Sequence, residues 1–525
     1  MAEVQTLKDL LLHSAEKFPN DNAFQIKRAR NYAKYSFAHV LRLASNLSAH
    51  LKENGVDKGD RVAILSENRP EWGISYLAIA SMGAVCVPID AKLTGEEINV
   101  LLNDSGAKIV VISLELNISH RFPIKTILME DIEKLKAGPM PEANLRPDEL
   151  AAIIYTSGTT GNPKGVMLTH KNIVSNVLAT ARLFSLGPGD NFLSVLPLHH
   201  TFEATAGFLG PFYMGCAITY AESLKSYNLL ANMQETGVTI MCGVPLLYRL
   251  FFQGILREVE EKGRAAGILF SCLTGISKIL PIEAARRKLF SMIHKKFGGK
   301  IRFFVSGGAA IDPEVVKNFE LFGITILQGY GLTESSPILT CCTLESNRIG
   351  SVGRPLSNVE IKITGQGEII ARGPNIMQGY YKRPDLTSEV IRDNWLDTGD
   401  VGRMDKDGYL YITGRIKDII VTGSGVNVYP DEIEFFLGKI QGIKESCVLG
   451  VKVKEGVRKG MEEVWAVVVP DRGNVEGHIM DEINKLNQKL TEYKRIANVI
   501  IRQIELPKTT TGKVRKFQVR KELGL

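Results

Sequence analysis

The sequence has no framework of paired cysteines, no long apolar run and no strong excess of one charge. Its seven cysteines form no CxxC pair. Cys341 and Cys342 are adjacent, which suits neither a routine disulfide nor a zinc knuckle. An odd, sparse count fits a reducing compartment. No apolar stretch reaches the roughly eighteen residues that a membrane-spanning helix needs. The N-terminal MAEVQTLKDLLLHSAEKFP alternates apolar and charged residues at helical spacing. It lacks the basic start and apolar run of a secretion signal, so a cytoplasmic location is expected. A net charge of +7 is thin over 525 residues and densest at 501–525, where seven Lys/Arg face two Asp/Glu. That stretch reads first as a solvated surface and second as an attraction for a polyanion such as ATP, coenzyme A, nucleic acid or anionic lipid. Basic runs interleaved with aromatics are missing, so no nucleic-acid partner is expected.

What is present is the composition of a large globular protein. Hydrophobic residues make up 44% and charged residues 23%, enough to bury a sizeable core and to exclude disorder over any long stretch. The length suggests two to four folded units. Leu7–Phe18 and Phe37–Asn54 have the spacing of amphipathic helices. Arg61–Leu65, Val85–Ile89, Lys108–Ser113 and Ala151–Tyr155 are short apolar runs flanked by Gly, Asp or Asn, as in buried parallel strands. Asn191–Leu196, Val238–Met241 and Lys300–Val305 continue the alternation, which predicts an α/β chain with mostly parallel sheets. After about residue 350, Glu360–Thr364, Gly367–Ala371 and Tyr409–Thr413 read as a small antiparallel unit with Gly or Asp-Gly turns. A helix at Asp431–Lys439, a strand at Val464–Val469, a helix at Gly477–Leu490 and a strand at Val499–Leu506 then form a small α+β module. The expected domains are 1–414 and a mobile 415–525.

The segment Tyr155–Gly165 (YTSGTTGNPKG) carries the clearest chemistry. It leaves a buried strand, with a helix expected from His170. Gly158, Gly161 and Gly165 let backbone N–H groups converge on an anion. Thr156, Ser157, Thr159 and Thr160 add hydroxyls, and Lys164 adds a mobile positive charge. Lysine precedes the last glycine and no GK[ST] follows, so this is not a Walker A loop. It reads as a phosphate-binding loop of another kind.

The loop resembles that of the adenylate-forming superfamily, which includes acyl-CoA synthetases, firefly-type luciferases and peptide-synthetase adenylation domains. Further motifs agree with it in order along essentially the whole chain. The resemblance implies that His200 and Phe202, in Leu196–Glu203 (LPLHHTFE), shape the acid pocket. Gly308 and Ala309, in Val305–Ala310 (VSGGAA), would lie against adenine. In Gln328–Glu334 (QGYGLTE), Tyr330 and Gly331 would face adenine, Thr333 would contact the α-phosphate, and Glu334 would hold Mg²⁺. Asp400 (WLDTGD) and Arg415 (GRIKD) would bind ribose, and Lys417 would be a hinge. Gly425 (GSGVNVYP) would line the pantetheine tunnel. Lys513 (PKTTTGKVRK) would be the adenylation lysine, bridging the substrate carboxylate and the α-phosphate.

Within that superfamily the sequence is most like a long-chain fatty acid–CoA ligase. Gly243–Tyr248 (GVPLLY) resembles the long-chain version of this segment, with Tyr248 where an aromatic gate to an acyl tunnel is found. The interval 251–300 is apolar and basic in patches. It reads either as ordinary helical packing or as a tunnel or membrane-facing element, so a weak peripheral membrane association is allowed. The implied activity joins a medium- to long-chain fatty acid to coenzyme A through an acyl adenylate, with ATP and Mg²⁺. Transfer to an acyl carrier protein, activation of an aromatic or other acid, and nucleotide binding without catalysis stay open. So does the oligomeric state, a dimer being one option.

Overall fold

Short β-branched runs bounded by turn formers become strands buried on both faces. Arg61–Leu65 lies between Val85–Ile89 and Ile109–Ile112, all parallel. Helices return the chain between them. The helix Pro70–Ser81 is buried at every position, which is why it shows no polar stripe. The helix Gly95–Ser105 opens with a capping box, Thr94 accepting from the Glu97 amide and Glu97 from the Thr94 amide, and stops at Gly106 with φ 63°.

The computed structural model describes residues 3–119, 122–157, 163–422, 427–453, 461–471, 476–508 and 514–525. They divide into two compact units. The first comprises Met1–Glu360 and Ala371–Leu396, the second Ile361–Ile370 and Asp397–Leu525. The first unit holds two large sheets. One orders its strands Gly379–Tyr380, Pro163–Thr169, Leu150–Ser157, Val85–Ile89, Arg61–Leu65, Ile109–Ile112, Lys125–Leu128. The other runs Arg354–Pro355, Ile338–Cys341, Thr325–Gly331, Phe303–Ser306, Ile240–Gly243, Asn191–Ser194, Ala217–Tyr220, Asn22–Arg28, Asn31–Ser36. From Thr325–Gly331 through Asn22–Arg28 every neighbouring pair in this second sheet is parallel.

The second unit carries its own core. Ile443–Lys452 pairs antiparallel with Glu462–Pro470, which pairs parallel with Asn498–Ile501. Helices Pro430–Leu437 and Glu476–Lys489 pack Ile433, Leu437, Ile479 and Ile483 against Val448, Val464, Ala466 and Val468. The chain is thus a mixed α/β protein with a large N-terminal and a smaller C-terminal part. The residues Asp397–Gly414 group with the C-terminal part, ahead of the 414/415 boundary expected from sequence.

One expectation needs correcting. The segment Thr156–Gly165, expected to be all turn before the helix at His170, is not turn at Pro163–Gly165. Those residues open a strand, Pro163–Thr169, that returns antiparallel along Leu150–Ser157, and the helix His170–Ala181 starts only after it. Pro163, Lys164 and Gly165 hid the strand because they interrupt the apolar alternation that continues at Val166.

Candidate active site

Parallel strands place their carboxyl ends on one edge of a sheet, and the loops that leave that edge form the natural ligand crevice. Four adjacent parallel strands do this here. Asn191–Ser194 leads into the His199–His200 segment, Ile240–Gly243 into the helix Pro245–Glu261, Phe303–Ser306 into Gly307–Ala310, and Thr325–Gly331 into Thr333–Glu334. Motifs more than a hundred residues apart in sequence therefore share one edge.

Side chains tie these loops to each other. A Cβ on Gly307 would sit 2.9 Å from the Phe202 ring, so the bare glycine backbone lets that ring lie against the strand end. Gly308, with φ 80°, turns the exposed Gly308–Ala310 segment outward. Gly331 tolerates no side chain, because its Cβ would meet the Pro337 carbonyl oxygen. Tyr330, Thr333 and Glu334 are half-buried beside it. The rings of His199 and His200 lie 4.1 Å apart, with His199 Nε2 3.6 Å from Asp90 Oδ2. Burial lowers the pKa of both imidazoles; in His200 the nearby Asp90 opposes this. His200 thus presents a neutral ring. Tyr248 is fully buried, its ring 5.4 Å from Phe304 and its hydroxyl donating to the Val305 carbonyl at 2.7 Å.

The glycine-threonine hairpin comes from the other large sheet and meets Glu334 through a residue the sequence did not single out. Thr156 pairs across the hairpin with Lys164. The ammonium of Lys164 lies 5.2 Å from the centre of the Tyr380 ring, and the Tyr380 hydroxyl donates to Glu334 Oε1 at 2.8 Å. Burial and the Glu334 carboxylate raise the phenol's pKa, so Tyr380 remains a donor. Its strand, Gly379–Tyr380, pairs with Pro163–Thr169, and the Met377 amide donates to the Glu334 carbonyl at 2.9 Å. The Gly-Tyr-Tyr run at 379–381 was the only local signal, and nothing in it announces a partner over two hundred residues earlier. Tyr155, at the hairpin's base, donates to Asp104 Oδ2 at 2.7 Å.

In the second unit Asp400 and Arg415 face each other across Trp395–Met404 and Leu410–Arg415, with Nε 2.9 Å from Oδ1. Lys417 is exposed in the short turn Ile416–Asp418. Gly158, Thr159, Thr160, Gly425 and Lys513 lie outside the described residues. Ser157 closes its strand, and only its backbone is described.

A model of the AMP-binding enzyme family matches residues 11–381, most of the chain. The chain belongs to the AMP-binding enzyme family. The model of the AMP-binding enzyme C-terminal domain matches residues 432–513. Among curated relatives, a feruloyl-CoA synthase from Amycolatopsis is 29% identical, over 93% of this chain and 94% of its own. A long-chain-fatty-acid–CoA ligase from Bacillus subtilis is 30% identical, over 99% of this chain and 94% of its own. Among solved structures, o-succinylbenzoate CoA synthetase from Bacillus subtilis in complex with its acyl-adenylate intermediate superposes with a TM-score of 0.79. It is 25% identical and the match covers 97% of each chain. The same synthetase is also known with ATP and a magnesium ion. Like its relatives, this AMP-binding enzyme is an adenylate-forming acid–thiol ligase of the acyl-CoA synthetase type.

Proposed function

We propose that this AMP-binding enzyme joins a medium- to long-chain fatty acid to coenzyme A, consuming ATP and releasing AMP and pyrophosphate. The observation that carries the chemistry is the run Lys164–Tyr380–Glu334, which sets a cation and a fixed carboxylate beside the glycine-threonine hairpin. A carboxylate is a poor nucleophile toward ATP because two anions must meet. The site has to screen the triphosphate and align the acid oxygen with the α-phosphorus. The hairpin amides, the hydroxyls of Thr156, Ser157, Thr159 and Thr160, and Lys164 would hold the phosphates. Thr333 would contact the α-phosphate. One half-buried, hydrogen-bonded carboxylate suits Mg²⁺, which takes its other ligands from water and phosphate oxygens. Glu334 would hold that ion, whose charge would screen the phosphates.

Gly308, Ala309, Tyr330 and Gly331 would receive adenine, and Asp400 with Arg415 the ribose hydroxyls. Lys513 would bridge the acid oxygen and the α-phosphate. The acid oxygen forms a bond to the α-phosphorus as the bond to pyrophosphate breaks. The coenzyme A sulfur, having lost its proton, then attacks the acyl carbon and AMP leaves. Rotation of 415–525 about Lys417 would exchange Lys513 for the Gly425 loop between these steps. The neutral His200 and the Phe202 ring would border the acid's carboxyl end. Tyr248 would gate the chain, and its opening breaks the hydroxyl contact with Val305.

Support for the fatty acid comes from the Bacillus subtilis ligase. The feruloyl-CoA synthase favours an aromatic acid as the second reading. Pyrophosphate release and product masses, measured over short, medium, long and aromatic acids with coenzyme A or holo-acyl carrier protein, decide between them. The expected outcome is acyl-CoA from medium and long acids. Turnover confined to aromatic acids, or product only on carrier protein, would overturn the reading.

A further inference from the structure

The helix Arg264–Ile279 (RAAGILFSCLTGISKI) contains no acidic residue. One side packs inward. Phe270 lies 6.1 Å from Phe290 and 5.9 Å from Phe322, ring centre to ring centre, and the Ser277 hydroxyl donates to the Leu321 carbonyl at 2.6 Å. The outward side should then be polar, as on an ordinary surface helix. It is not. Ile268 is 67% exposed, Leu269 59%, Ile276 47% and Ile279 81%. At 100° per residue these four occupy an arc of about 100°. Arg264 and Lys278, both exposed, flank one edge of the arc.

The surroundings share this character. Ile282, two residues past the helix turn, is 63% exposed, and Met292 is 68%. From Arg264 to Lys300 there are eight Lys/Arg and a single acid, Glu283. Lys288 and Lys295 are exposed, and long basic side chains can lie along apolar surface while keeping their charge in water. An apolar arc on one helix, with cations along one edge and no carboxylate on the helix itself, complements a surface that is anionic over a wide area with hydrocarbon just beneath. That is an anionic lipid leaflet. A protein partner would have to supply an apolar groove and a matching acidic rim at once.

We infer that the outward face of Arg264–Ile279, with Ile282 and the neighbouring cations, docks the protein on anionic membranes by inserting its aliphatic side chains at the headgroup level. The inference does not depend on which acid the enzyme activates. No described helix is long and apolar enough to cross a membrane, and none is needed for this mode of binding.

The test is sedimentation of the full chain, without substrates, with phosphatidylcholine vesicles and with vesicles containing about a third phosphatidylglycerol. The wild type is expected to pellet with the anionic vesicles, and at least about tenfold more weakly with the neutral ones or at high salt. The double substitution Ile268→Glu and Ile279→Glu removes two insertion points and adds repelling charge. It should lower vesicle affinity about a hundredfold. Both sites are exposed and glutamate favours helix, so the unfolding midpoint should hold. Arg264→Glu with Lys278→Glu should weaken binding and flatten its salt dependence.

Three results would overturn the inference. The wild type could fail to pellet with anionic vesicles. The isoleucine variant could pellet as well as the wild type, leaving only electrostatic adsorption. Or the wild type could ignore vesicles yet form a dimer in sedimentation equilibrium that the isoleucine variant cannot form, making the face a copy-to-copy interface.

Discussion

Tyr380 links the glycine-threonine hairpin to Glu334. Its ring sits under the Lys164 ammonium while its hydroxyl fixes one oxygen of Glu334, so one residue orients both charges. A hydrogen bond to a charged group contributes about 1.5–3 kcal/mol. Tyr380→Phe keeps the ring and deletes only that bond. It is expected to lower kcat/KM for ATP roughly ten- to hundredfold in a pyrophosphate-release assay, with the unfolding midpoint little changed. An unaltered kcat/KM would mean that Glu334 needs no such orientation.

At the scale of elements, the segment after the histidines is a π-helical turn, Glu203–Leu209, a form that often marks functional sites. Glu203 is fully buried in it, and Gly207 leaves the room: a Cβ there would fall 2.5 Å from the carboxyl carbon. Burial pushes the Glu203 carboxyl up to about 8, against a smaller opposing effect of the Ser194 hydroxyl. The unfolded chain releases this proton near pH 4.5 and the folded chain near 8. Between those values the native state holds the extra proton. The stability this group contributes is therefore complete below about 4.5 and is lost as pH rises through about 8. Glu203→Gln cannot ionise. Its urea midpoint should gain on the wild type from pH 5 to 8 and then level off. A constant difference between the two proteins across that range would show that Glu203 titrates normally.

At the scale of the molecule, two units carry separate cores. Ile433 is fully buried among the aliphatics of the second. Ile433→Ala should destabilise that unit by about 2–5 kcal/mol and lower one calorimetric transition while leaving the other in place. A single transition moving as a whole would show that the units unfold together. Range along the chain separates the features legible in the sequence from those set by tertiary packing. Arg61–Leu65 and Val85–Ile89 were legible to the residue because a buried parallel strand is a local apolar run between turn formers. The strand Pro163–Thr169 was hidden by a local pattern that breaks at Pro163 and Gly165, and only pairing with Leu150–Ser157 reveals it. Tyr380 on Glu334, Phe202 against Gly307 and the outward isoleucines of Arg264–Ile279 were invisible for a related reason. A pattern of apolar residues does not say which neighbour covers them, or that none does. The sequence by itself determined the family and the α/β class, both carried by short-range patterns. Which loops meet, which carboxyl loses its water and which apolar face stays uncovered were decided by tertiary packing.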